Sequence, residues 1–135
     1  MADVTNGTGS GFRVEDDGSG VIKATVDAGW VTKPLAKALC ADIEQAAARH
    51  PGRARLMLDM GALSKATPGA GMYAMRSLKR LDVSAIALYR ANGLMRSFAR
   101  AVMQLARFRR FKLFGEETKA RAWLGDARPA KQPDR

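Results

Sequence analysis

The chain has 135 residues, of which 47% are hydrophobic and 27% are charged, and this is typical of one soluble globular domain. It is long enough to form a hydrophobic core without disulfides or metal. The single cysteine, Cys40, allows no internal disulfide, and with the single histidine, His50, it makes no common structural zinc site. Collagen-like, disordered and disulfide-stapled classes are excluded.

The sequence also predicts where the protein resides. No segment approaches the roughly 20 apolar residues that span a bilayer. Residues 1–20 are polar and lack the apolar core of a secretory signal. We therefore expect a cytoplasmic protein.

Positive charge is concentrated in the second half of the chain. The net charge is +10, and residues 76–121 contain twelve basic and three acidic residues, whereas residues 1–75 contain eight of each. Such a field favours an acidic protein face, an anionic lipid surface or nucleic acid, although a solvated basic surface accounts for the same composition. Nucleic acid is the least favoured, because no reading motif is recognisable and the phenylalanines are expected to face the core.

The first half of the chain predicts a hairpin, a helix and a buried strand. Residues 1–11 are rich in small polar residues and predict a flexible lead-in. Strands at Phe12–Val14 and Val21–Val26 follow, joined by a turn. Thr32 is a good N-cap for a first helix, whose apolar face carries Leu35, Leu39, Ile43 and Ala47 and which ends near His50. The nearly continuous apolar run Ala54–Met60 predicts a strand that is buried on both faces.

The second half predicts two further βα units and a closing helix. A helix carrying Met72, Met75, Leu78 and Leu81 leads to a strand at Ser84–Tyr89. Asn92 caps a third helix, with an apolar stripe on one side and Arg96, Arg100 and Arg107 on the other. The stripe contains Leu94, Phe98, Ala101, Val102 and Leu105. A strand at Arg110–Phe114 and a helix that opens at Glu116 and ends at Gly125 complete the chain.

These elements predict one α/β domain over residues 12–126, with a mixed sheet of about five strands flanked by about four helices. Residues 127–135 contain two prolines among charged residues and predict a flexible tail.

Catalytic chemistry is poorly represented, so we expect a protein that is not an enzyme and has no cofactor. His50 precedes Pro51 at a predicted helix end and resembles a surface terminator rather than a catalytic base. The Gly69-Ala70-Gly71 cluster lacks the third glycine of a dinucleotide-binding loop. Asp59 ends a strand without a partner acid, and we expect it to accept hydrogen bonds there.

The closing segment RFKLFGEETKARAWLG, together with the LMLDM and SAIALY strands, resembles the STAS/SEC14-like family, relatives of bacterial anti-sigma-factor antagonists. The resemblance covers roughly residues 12–126. It implies a small mixed-sheet domain flanked by helices that acts by binding, in some members through a phosphorylated serine at the start of the helix after the LDL-type strand. This chain lacks the Asp-Ser-Ser-Gly of that switch. The corresponding stretch supplies Ser64, Thr67, Gly69 and Met72 as a candidate regulatory or partner loop, and an N-cap role explains Thr67 before Pro68.

Two binding functions follow from the resemblance. The first is a regulatory domain that binds a protein partner through its helix surface and loop. The second is a module for a lipid, another apolar-anionic ligand or an anionic membrane. Its candidate apolar pocket is Met75, Met95, Phe98 and Met103, and its candidate anion-binding residues are Arg96, Arg100, Arg107 and Arg110. Exposed apolar helix faces are also compatible with a homodimer.

Overall fold

One mixed sheet organises the chain in a computed structural model that describes residues 7–9 and 11–126. The sheet order is β1-β2-β3-β5-β7-β8, and β4 and β6 form a separate two-stranded ribbon. The elements are β1 (Gly7–Gly9), β2 (Phe12–Asp16), β3 (Val21–Val26), β4 (Trp30–Val31), α1 (Lys33–Ala48), β5 (Arg55–Asp59), β6 (Lys65–Ala66), α2 (Pro68–Arg80), β7 (Ala85–Tyr89), α3 (Gly93–Leu105), β8 (Phe111–Phe114) and α4 (Glu117–Asp126).

The predicted fold class is confirmed. The five predicted main strands are present, and the four helices flank the sheet. Gly7–Gly9, inside the predicted flexible lead-in, instead pair with β2 as an added edge strand. The other residues of that lead-in, 1–6 and 10, and the predicted tail, 127–135, lie outside the described residues.

The two faces of the sheet are covered by different helices. Strands β3, β5, β7 and β8 run parallel, and α1, α2 and α3 connect them in turn. The larger core forms between these helices and side chains such as Ile22, Leu56 and Leu88. On the opposite face, the one helix among the described residues is α4, which packs Ala120 and Leu124 against β5 and β7. A lysine–glutamate pair, Lys23 to Glu117 at 3.2 Å, ties the start of α4 to β3.

The predicted N-caps form as expected. The side-chain oxygens of Thr32, Thr67 and Asn92 accept the backbone N–H groups of Leu35, Ala70 and Met95 at 3.4, 3.2 and 2.8 Å. Each satisfies a donor that the first turn of a helix leaves without a partner. These caps fix where α1, α2 and α3 begin, at the carboxyl ends of β4, β6 and β7.

The predicted apolar stripe of α3 is partly wrong. The residues buried against the sheet are Met95, Ala99, Val102 and Met103, whereas Leu94 and Leu105 are 63% and 64% exposed. The predicted residues do form one row along α3, but the helix is buried through the adjacent face. Residues 95, 99, 102 and 103 also follow the helical repeat, so the sequence alone does not distinguish the two faces. Arg107 lies beyond the end of α3, with a left-handed φ of 59°. The last helix likewise continues one residue past Gly125.

His50 is not a surface terminator. Its ring Nε2 lies 3.0 Å from both carboxylate oxygens of Asp16, and both side chains are largely buried. Arg49 adds a 3.2 Å contact to the same carboxylate. Partial burial pushes the pKa of Asp16 upward, but the Gly18 N–H, the His50 ring and Arg49 outweigh it, so the pKa falls below the usual 3.8. The contact fastens the β2–β3 hairpin to the end of α1.

We expect Asp16→Asn to lower the free energy of unfolding by about 1–3 kcal/mol, because a half-buried charged cluster loses its anion. The pKa of Asp16 is lower in the folded than in the unfolded chain. This stabilisation is therefore complete above the unfolded value and disappears as the pH falls through the folded value. Urea unfolding at neutral pH and below about pH 4 measures both effects. Asp27→Asn, at an exposed position, is the control; an equal loss in both variants would contradict the prediction.

Candidate functional site

An apolar cavity of about 130 Å³ lies between α1, α2, α3 and the sheet. Its walls come from all three helices and from β5 and β7, and include Leu39, Leu56, Leu78, Leu88, Val102 and Met103. Cys40 also lines it, and burial raises the pKa of the thiol, so this side chain stays protonated and behaves as part of the apolar wall. The hydroxyl of Ser77 donates to Glu44 at 2.8 Å, which satisfies the one hydroxyl in the lining.

Helix α2 covers this cavity, although few of its own residues are fully buried. Only Ala70 and Ser77 are buried on α2, whereas five residues are buried on α1. The apolar side chains Ala74, Leu78 and Leu81 face the cavity and are half-buried. Of these three helices, α2 therefore buries the fewest of its own residues, and it is held mainly by its contacts with α1 and α3.

A surface groove of about 320 Å³ lies at the carboxyl end of the sheet. The β4–β6 ribbon places Trp30 and Lys65 side by side, with the Lys65 Nζ 4.9 Å from the centre of the indole ring. Pro68 and Leu94 form other parts of the wall. Trp30 is 53% exposed and Leu94 more so, so the groove presents large apolar side chains to solvent.

Phe98 separates the groove from the cavity. It is the residue that lines both spaces. Its ring packs on the first turns of α2, where a Cβ at Gly71 would stand 3.0 Å from the ring edge. A glycine here lets α2 and α3 approach closely.

The predicted pocket residues do not line one common space. Phe98 and Met103 line the cavity, and Met95 lines the groove. Met75 is half-buried on α2 and lines neither space. The α1 wall, Leu39 and Ile43, was not predicted to belong to the site, because its helical spacing indicates only a core-facing side.

The predicted regulatory loop borders the groove. Thr67 lines it, and the Thr67 hydroxyl is engaged as the cap of α2. Ser64 is exposed, and its backbone N–H donates to the Gly29 carbonyl at 2.8 Å. Gly69 lies beside Lys33, and Met72 is half exposed. Trp30, which completes this surface, was missed in sequence; its only signal was a large aromatic residue in a loop just before an N-cap.

The predicted anion-binding arginines lie elsewhere. At 100° per residue, Arg96 and Arg100 are about 200° and 240° around α3 from Leu94 and therefore on the flank away from α2. Arg107 is exposed after the helix, and Arg110 is half-buried just before β8. The helical repeat thus places Arg96 and Arg100 on one flank of α3, whereas Leu94 and Phe98 line the apolar groove on the other.

Asp59 takes the strand-end role expected of it. One carboxylate oxygen accepts the Gly61 N–H at 2.9 Å and the Arg90 Nε at 3.2 Å. Within residues 7–9 and 11–126, no three His, Cys, Asp or Glu side chains come together as a possible metal site. In the same part of the chain, no helix is both long and apolar enough to cross a membrane.

Comparison with known proteins identifies a family whose model matches this chain. The family model described as SpoIIAA-like matches residues 21–125. A solved structure of an uncharacterized DUF3478-family protein with a SpoIIAA-like fold, from Shewanella loihica PV-4, superposes with a TM-score of 0.64 at 18% identity. The match covers 92% of this chain and 98% of that one, and it shows the shared fold. No curated protein matches the chain.

We expect Thr67→Ala to lower the free energy of unfolding by about 1 kcal/mol, because the first turn of α2 loses its cap. Thr67→Ser and Thr67→Asp should stay close to the wild type, since both side chains still accept the Ala70 N–H. Urea unfolding provides the measurement. If Thr67→Asp were as unstable as Thr67→Ala, the cap would not explain this threonine.

Proposed function

The chain belongs to the SpoIIAA-like family, and we propose that it is a binding domain for an apolar ligand whose end enters the cavity between α2, α3 and the sheet and whose remainder lies in the groove. Membership of this family supports a STAS-like regulatory domain, a class that is generally not enzymatic and commonly binds proteins. The ligand-binding proposal adds a specific site to that general description.

The apolar cavity beneath α2 carries the proposal. Closed apolar cavities of about 150 Å³ admit a benzene-sized molecule, and drug-sized ligands need roughly 300 Å³ or more. The cavity alone therefore fits a small ring or a short chain end, whereas cavity and groove together hold a longer molecule that passes Phe98.

The half-buried inner face of α2 supports uptake at this place. Ala74, Leu78 and Leu81 already line the cavity with apolar atoms, and a ligand there would bury them further. Transfer of apolar surface from water contributes roughly 25 cal/mol per Å². The flank that carries Arg96 and Arg100 faces away from the groove, so the proposed site binds through apolar contact and does not use those arginines.

We expect Ala74→Leu to weaken binding of cis-parinaric acid about tenfold or more, since the added side chain occupies the cavity. Fluorescence titration of the purified protein measures the effect. Ala101→Leu is the matched control, because Ala101 is exposed on α3 and lines neither space. Equal affinity in the two variants would contradict the proposal.

Two further measurements sharpen the test. Phe98→Ala joins cavity and groove and should strengthen binding of the same probe. Native and denaturing mass spectra of freshly purified wild-type protein should differ by the mass of any retained apolar molecule, and Ala74→Leu should lose that mass.

A second candidate function is docking of a protein partner on the groove surface. The observation that favours it is that exposed Trp30 and Leu94 line one groove together with Thr67. Tryptophan is frequent among residues that dominate binding energy, and large apolar side chains exposed together mark interaction surfaces.

For this docking surface, we expect Leu94→Glu to abolish capture of a partner by the immobilised protein, because a charge enters the apolar centre. Leu105→Glu should capture as the wild type does. The two leucines are equally exposed on α3, but only Leu94 lines the groove. Quantitative mass spectrometry of the captured proteins compares them, and equal capture by the two variants would rule out this surface.

A further inference from the structure

The sheet ends at an open edge formed by β8. Among the described strands, β8 pairs with β7 and none lies beyond it. Its side chains Phe111, Leu113 and Phe114 are half-buried, and Lys112 is exposed. An edge of this kind can accept another extended chain through backbone hydrogen bonds.

The register of β8 shows which of its backbone groups face outward. The N–H of Ile86 donates to the Arg110 carbonyl at 2.9 Å, and the N–H of Arg90 donates to the Phe114 carbonyl at 3.2 Å. Backbone groups alternate in direction along a strand. The N–H and C=O groups of Phe111 and Leu113 therefore point away from β7, and their spacing suits an added strand.

The charge around this edge has one sign. Residues 83–115 contain seven Lys and Arg and no Asp or Glu. Arg107, Arg109 and Lys112 are exposed on β8 or on the turn before it. The sequence immediately beyond the strand supplies Glu116 and Glu117, and Glu117 is already paired with Lys23 and Arg121.

Helix α3 adds to this basic edge. Helix α3 connects β7 to β8, and one of its flanks packs against α2. The other flank carries Arg96 and Arg100 and therefore lies toward β8. The Arg96 Nε is buried and has no hydrogen-bond acceptor within the described residues. Because this atom is buried, Arg96 adds positive charge near the edge without being a contact for a partner, whereas Arg100 is exposed.

We propose that the β8 edge binds an extended acidic segment of a partner protein, which adds to the sheet as a further strand. Backbone hydrogen bonds to Phe111 and Leu113 supply affinity, and acidic side chains of the partner meet Arg100, Arg109 and Lys112. A second copy of this chain is disfavoured, since pairing β8 with β8 brings these cations together. A polypeptide matches the open backbone groups, which a nucleic acid or a lipid headgroup does not.

The test uses a fluorescent ten-residue peptide of alternating Glu and Val. Wild-type protein should bind it at low salt, and a peptide of the same sequence with every backbone nitrogen methylated should not bind. In amide hydrogen exchange, Phe111 and Leu113 should exchange quickly in the free protein and about tenfold or more slowly with the peptide. Lys112 and Phe114 should be protected in both states, because they face β7.

Two double variants distinguish the effect of charge at the β8 edge from the effect of the net charge of the protein. Arg100→Glu combined with Arg109→Glu should weaken binding about tenfold. Arg53→Glu combined with Arg76→Glu changes the net charge equally at exposed positions away from β8 and should bind as the wild type does.

Four results would overturn the proposal. The first is equal binding of the methylated peptide, and the second is equal weakening by both variant pairs. The third is slow hydrogen exchange at the Phe111 and Leu113 amides in the free protein, because the edge is then already covered. This holds whether sedimentation shows a monomer or a dimer. The fourth is equal protection of these amides by phosphatidylglycerol vesicles or an oligouridylate.

Discussion

The constraint on which this structure depends is the parallel connection of β3, β5, β7 and β8. Each parallel step needs a crossover, and crossovers of one hand place their helices on the same face of the sheet. As a result α1, α2 and α3 crowd one face, and α4 is the helix of the described chain that covers the other. The larger core, the cavity and the groove all lie on the crowded face.

Crowding alone does not create a cavity; the distribution of side-chain volume does. The first turn of α2 carries Gly69 and Gly71, and its inner face carries Ala74 and Ser77, so the helix brings little volume to the core beneath it. Phe98 from α3 fills part of that space against Gly71. What remains is an apolar space that the neighbouring helices line, and this is the feature on which the ligand-binding proposal rests.

The same connection order separates the protein into two surfaces with different chemistry. Toward α2, the α3 flank shows Leu94 and Phe98 beside Trp30, an apolar surface suited to an apolar ligand or a protein. Toward β8, the other flank shows arginines beside an open strand. A single helix thus borders both surfaces, and its rotation about its own axis decides which residues each surface receives.

The sequence by itself determined the α/β class, the order of the main elements and the caps at Thr32, Thr67 and Asn92, because these depend on local periodicity and on hydrogen bonds within one turn. Only the tertiary structure decided which face of α3 is buried, the pairing of His50 with Asp16, and the meeting of Trp30 with Leu94. Two overlapping helical repeats on α3 look equally apolar in sequence, and contacts between residues far apart in the chain depend on how the helices pack.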